Sequence, residues 1–131
     1  MNKQKFMEKQ RLYYDKKFLG SMSGRPIRIL SEYLFPLESF NNHQIDSTIV
    51  FFGSARIENK NDTPINKYYS KAKDLSYKIT KWNLEKFDGK KFVVASGAGP
   101  GIMEAANQGA YEAKGKTVGL GISLPFEQTN N

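Results

Sequence analysis

Two apolar runs constrain the architecture most. TIVFF at residues 48–52 and FVVAS at residues 92–96 lack the apolar–polar alternation of a half-exposed strand. They fit parallel strands covered on both faces. Between them, Ile65, Tyr68, Tyr69, Ala72, Leu75, Ile79 and Trp82 recur at helical spacing. Asp62 and Thr63 offer that helix a cap, and Pro64 stands where a first turn tolerates proline. A second helical stretch follows FVVAS, ending near Lys114 with Gly115 placed as a stop, and KTVGLGISL reads as a third strand. The order strand–helix–strand–helix–strand predicts a right-handed parallel α/β unit.

Three parallel strands and two crossover helices make half of a doubly wound sheet. No helix follows PFEQTNN to cover the third strand, so the expectation is an incomplete sheet, residues 46–131 being the amino-terminal half of a larger domain; the alternative is a small complete domain that dimerises through its sheet. Ahead of it, residues 1–45 read as a basic helical extension. Residues 3–19 form a ragged helix, GSMSGRP a linker, and Ile27–Phe40 a second helix that Pro36 should kink or end.

The chain of 131 residues has a formal net charge of +7, but the charge is unevenly placed. Residues 1–28 carry eight Lys and Arg against Glu8 and Asp15, whereas the remainder holds 12 basic and 11 acidic side chains. A solvated helix face explains such a leader without a nucleic-acid partner. Any phosphate site in the body must therefore rest on local backbone geometry. With no cysteine and no apolar signal core in MNKQKFMEKQ, the expected compartment is the cytoplasm, and no membrane partner is indicated.

The chemistry concentrates in ASGAGPGIMEAAN, residues 95–107. Amides converging at a helix start hold phosphate well, and close approach to them requires residues without a Cβ. Gly97, Gly99 and Gly101 supply that, with Pro100 expected in the first turn. The stripe Ile102, Ala105, Ala106, Gly109, Ala110 and Ala113 lets the helix lie close to the sheet. The same glycines can equally serve a tight turn by packing alone. A second turn, Gly53-Ser54-Ala55-Arg56, should lie beside the first at one edge of the sheet. Ser54 can donate to a phosphate or ribose hydroxyl, or cap its own turn. Arg56 can turn inward or remain a solvated cation. Glu104 and Asn107 share a face apart from the alanine stripe. Glu104 can bind ribose hydroxyls, orient a catalytic partner, or stand in solvent.

Other motifs fail. GKT at residues 115–117 lacks the leading glycine of a P-loop and runs into a strand. The glycine-rich turn follows the second strand rather than the first, which disfavours a nicotinamide site. His43 is the single histidine and sits in a polar loop, so no metal cluster is indicated.

VFFGSARI, followed by VVASGAGPGIMEAANQGAYEAKGKTVGLGISLPFEQ, resembles the Lonely Guy family over about residues 48–131. GRPIRILSEYL resembles the leader of some members. The resemblance implies a Rossmann-like homodimer that cleaves the N-glycosidic bond of a nucleoside 5′-monophosphate, giving free base and ribose 5-phosphate, with no cofactor and no metal. It implies that Gly97, Ala98, Gly99, Pro100, Gly101, Met103 and Glu104 line the nucleotide site, with Gly53 and Ser54 approaching from the first strand. The family's second signature, P-G-G-x-G-T-x-x-E, and the arginine before it are not among these residues. Those carry the glutamate–arginine pair assigned to catalysis, so no catalytic residue is expected here and the chain alone should be inactive or nearly so. The alternative is a nucleotide-binding or sensing module without catalysis. A third reading, a basic nucleic-acid arm, predicts binding that weakens steeply with salt.

Overall fold

The computed structural model describes residues 11–57 and 64–122. The chain divides into two units, Met1–Asn42 and His43–Asn131. Among the described residues no helix is long and apolar enough to cross a membrane.

The second unit is an α/β layer. Its strands β1 (Thr48–Val50), β2 (Val93–Gly97) and β3 (Thr117–Leu120) form one parallel sheet in the order β1-β2-β3. Helices α3 (Lys67–Phe87) and α4 (Ile102–Glu112) make the crossovers. The register sets Ile49 beside Val94 and Val94 beside Thr117, leaving β1 and β3 as edges among the described residues. This is the three-stranded, incomplete Rossmann-like arrangement that the order of elements predicts.

Both helices pack together and against β2. Val94 meets Ala106 and Ala110, with Phe51 and Ile79 around them. Ala105 meets Tyr69 and Ile57. The small side chains of α4 perform as expected: Ala105, Ala106, Ala110 and Ala113 are wholly buried. At Gly109 a Cβ would run into the Lys73 carbonyl of α3, so this contact needs glycine.

The face of α3 against its neighbour departs from the apolar stripe. Tyr69 is buried as expected, but Ser76, Thr80 and Asn83 are the others, while Tyr68, Leu75 and Trp82 stand exposed. Close helix approach explains this, because Gly109 and Gly115 admit α3 only where its own side chains are small or short. The Ser76 hydroxyl donates to the Ala106 carbonyl and so satisfies itself inside the seam. Trp82 instead joins Phe87 and Phe92, with ring centroids 5.1 and 5.3 Å away.

Strand β1 is shorter and barer than its run of five apolar residues predicts. The strand ends at Val50, although the Phe51 amide still donates to Ala95 O at 2.9 Å. Val50 is 52% and Phe52 92% exposed, so the strand is not covered on both faces by the described residues. On β3, Leu120 is likewise exposed.

Several boundaries also move. The cap expected at Asp62 and Thr63 lies outside the described residues. Asn66 is the N-cap of α3, and Pro64 belongs to the turn before it. Helix α4 stops at Glu112, and Lys114 rather than Gly115 takes the left-handed conformation, with φ +65°. Gly115 is needed for another reason: a Cβ there would strike the Thr80 side chain.

In the first unit, the described part of the leader is not one helix. A short 3₁₀ turn, Leu12–Tyr14, gives way at Asp15 to α1 (Lys16–Gly20). The Asp15 carboxylate accepts from the amides of Lys17 and Phe18 at 2.9 and 3.0 Å, a side-chain cap that restarts the helix. The remainder of the predicted 3–19 helix, residues 3–10, lies outside the described residues. Helix α2 (Arg25–Asn42) takes Arg25 and Pro26 from the expected linker and runs through Pro36 instead of ending there.

Candidate functional site

The two glycine turns meet. Gly101 caps α4 with φ +75° and ψ −130°, a conformation that side chains strongly disfavour. A Cβ there would also run into the Ser54 carbonyl and the Ala55 backbone. A Cβ on Gly53 would strike the Ile102 side chain. The Ile102 amide donates to Ser54 O at 3.1 Å. These glycines therefore bring the turn after β1 against the start of α4, as the sequence predicts for neighbouring parallel strands. The arrangement is braced elsewhere. Ser96 Oγ donates to Phe51 O at 2.8 Å, and the Ala98 amide donates to Leu120 O at 3.1 Å.

This contact changes which amides are open to an anion. The first turn of a helix leaves amides without intrahelical acceptors. Ile102 has spent its own on Ser54. Gly101 has no side chain, so the cap offers Met103 and Glu104 none of the acceptor that a Ser or Asp would provide there. Pro100 is exposed and precedes the cap, one position outside the helix rather than within its first turn.

Nor is the space beside the glycines of the turn empty. Met103, the second residue of α4, points back toward the helix start, as helical side chains do. Its sulfur stands 2.5 Å from where a Cβ on Gly97 would be, and its methyl 2.8 Å from the equivalent point on Gly99. Gly97 and Gly99 thus make room for a thioether, the packing role left open for them beside phosphate binding. An unbranched methionine with three rotatable bonds is the hydrophobic side chain best able to move aside.

Ser54 Oγ accepts from the Arg56 amide at 3.1 Å, capping its own turn while its proton remains available to donate. Arg56 is exposed.

Beside the mouth, on the β3 flank of α4, lies a cleft of about 530 Å³. Ala98, Glu104, Asn107, Gln108, Tyr111, Thr117 and Gly119 line it. Of the predicted site residues, Ala98 and Glu104 reach this cleft, whereas Gly53 and Ser54 meet α4 from the β1 side. No cation is among the described lining residues, whose polar groups are the Glu104 carboxylate and neutral amides and hydroxyls.

Asn107 is a brace. Its Nδ2 donates to Gly97 O at 3.2 Å and its Oδ1 accepts from Thr117 Oγ1 at 2.9 Å, tying α4 to the end of β2 and the start of β3.

Tyr69 is the residue that sequence reasoning assigned only to packing. Its ring is buried against Ala105, and its hydroxyl donates to Gln108 Oε1 at 3.0 Å, with Glu104 close by. Burial raises the phenol pKa above its ordinary value, reinforced by the negative charge of Glu104 and then by that of Glu112. Glu112 is itself paired with Lys73 at 2.8 Å. The helix spacing of 104, 108 and 112 contained the signal for a shared face, but nothing in the sequence says that a tyrosine 39 residues before Gln108 faces it.

No family model matches the sequence, and no curated protein matches it.

Proposed function

We propose that this chain forms the nucleotide-binding part of a nucleoside 5′-monophosphate phosphoribohydrolase, the class implied by its resemblance to the Lonely Guy family. The observation that carries the reading is Gly101. Its positive-φ backbone and its contact with Ser54 and Ala55 set the start of α4 at the carboxyl end of the central parallel strand, beside a cleft. Ligands of open α/β sheets bind at that end, and phosphates favour helix starts.

In this reading the phosphate meets the amides of Met103 and Glu104 once the Met103 side chain swings away, and the Ser54 hydroxyl donates to it. The ribose lies toward the cleft, where Glu104 accepts from its hydroxyls. Cleavage of a glycosidic bond builds positive charge on the sugar, which a fixed carboxylate must stabilise. The glutamate–arginine pair expected for that task is not among these 131 residues. The chain alone therefore binds the nucleotide without turning it over. The proposed protein is a cytoplasmic homodimer.

A second reading, a nucleotide-binding module without catalysis, is favoured by the single carboxylate, Glu104, among the described lining residues. Incubation of the chain with AMP and assay for free adenine tests the proposal. No release above the uncatalysed rate is expected, and rapid release would overturn the assignment of catalysis to absent residues. A chain joined to a segment bearing P-G-G-x-G-T-x-x-E should release adenine. Failure of that protein to do so, while still binding AMP, would favour the second reading.

A further inference from the structure

Glu104, Asn107, Gln108 and Tyr111 form one stripe of α4 along the cleft. Its polar groups are not equally occupied. Asn107 is spent on Gly97 O and on Thr117, whose hydroxyl donates to Asn107 Oδ1. Gln108 is engaged at its oxygen, which accepts from the Tyr69 hydroxyl at 3.0 Å. Burial and the charges of Glu104 and Glu112 make that phenol hold its proton tightly. At neutral pH it therefore remains a donor and keeps the amide oxygen turned toward it. What Gln108 has left for the cleft is its Nε2 hydrogens. Glu104, one helical turn nearer the start of α4, presents an acceptor. The cleft thus carries an acceptor, then a fixed donor, then the Tyr111 ring, which is 70% exposed.

We propose that Gln108 is the base-contacting residue of the nucleotide site and that Tyr69 is its positioning residue. The inference rests on the nucleotide reading above, which puts the ribose hydroxyls at Glu104. Purine N3 and pyrimidine O2 are the acceptors on the sugar side of a base, next to the 2′-hydroxyl. A donor one turn from Glu104 meets these first, and this edge differs little between bases. Farther out, the described lining residues offer Tyr111, whose ring stacks on any base and whose hydroxyl accepts as readily as it donates. The ligand selected is a nucleoside 5′-monophosphate with an acceptor beside its glycosidic bond, purine and pyrimidine alike.

Calorimetric titration of the 131-residue chain at neutral pH tests it. The ligands are AMP, CMP, ribose 5-phosphate and 3-deazaadenosine 5′-monophosphate, in which a C–H replaces N3. AMP and CMP should bind within about threefold of each other, and the 3-deaza compound about fivefold more weakly than AMP, the loss of one neutral hydrogen bond. Gln108→Leu should bind AMP and the 3-deaza compound alike. Tyr69→Phe frees the amide to turn and should lose most of the discrimination, an effect that a purely structural role for the hydroxyl would not produce. Each result is a ratio between two ligands on one protein, and the wild-type ratio alone can decide. Equal affinity of the wild-type chain for AMP and the 3-deaza compound overturns the inference. So does a discrimination that survives Gln108→Leu, or a preference for AMP over CMP beyond about tenfold. Ribose 5-phosphate bound as tightly as AMP overturns it too, while leaving the phosphate grip at α4 intact. A chain that binds none of these ligands overturns the nucleotide reading, and this inference with it.

Discussion

The amide of Ile102 points at the carbonyl of Ser54 across 3.1 Å, so the turn after β1 closes the first position of α4. In the proposed reading, the surface left for a phosphate is consequently narrower than a row of glycines implies. It begins at Met103, and its geometry depends on Gly101.

Gly101→Ala should be the most damaging small change at the mouth. It places a side chain at positive φ and against the Ser54 carbonyl. A loss of about 3 kcal/mol is expected from backbone strain and overpacking together. Urea unfolding measures it. A cost close to zero would mean that the two turns are not in contact.

Met103→Ala should act in the opposite sense on binding. If the thioether must leave Gly97 and Gly99 before phosphate enters, its removal raises the fraction of binding-competent molecules. AMP affinity should rise about threefold while stability falls by about 1–2 kcal/mol. Calorimetric titration distinguishes this from a methionine that contacts the nucleotide, whose loss would weaken binding.

Tyr69→Phe should cost about 1 kcal/mol at neutral pH, since Gln108 loses its donor. It should also change the alkaline limb of stability. The phenol pKa is raised in the folded chain, so the native state holds its proton more tightly than the unfolded one. That contribution is fully present below the unfolded value near 10 and is lost as pH rises through the folded value. Thermal melts of the wild-type chain should therefore fall more steeply above pH 10 than those of Tyr69→Phe. Parallel curves would remove Tyr69 from the account.

Gly109→Ala tests the seam between α3 and α4. Its methyl group would meet the Lys73 carbonyl, and separating the helices enough to admit it should cost about 1–3 kcal/mol. A neutral or stabilising result, as helix propensity alone would give, would show that the helices are further apart.

The order of elements, the parallel pairing and the small-residue face of α4 were legible because each is a local pattern with one packing solution. The meeting of Gly53-Ser54 with Gly101 was legible for the same reason: neighbouring parallel strands end at one edge. The buried face of α3 was not. Periodicity favoured Leu75 and Trp82, but the approach allowed by Gly109 and Gly115 selected Ser76, Thr80 and Asn83 instead. Glycine spacing could not show that Met103 fills the space above Gly97 and Gly99, because an empty turn and a covered one need the same residues. Asp15 falls inside the predicted 3–19 helix, and only its contacts with Lys17 and Phe18 show it to be a cap.

The most direct measurement is an amide chemical-shift titration of the ¹⁵N-labelled chain with AMP, with adenosine as the control lacking phosphate. The account predicts saturable shifts at Met103 and Glu104 with AMP, much smaller ones at those amides with adenosine, and an effect lost in Gly101→Ala. Unmoved amides at the start of α4 would contradict it, as would shifts confined to the basic leader that vanish with added salt.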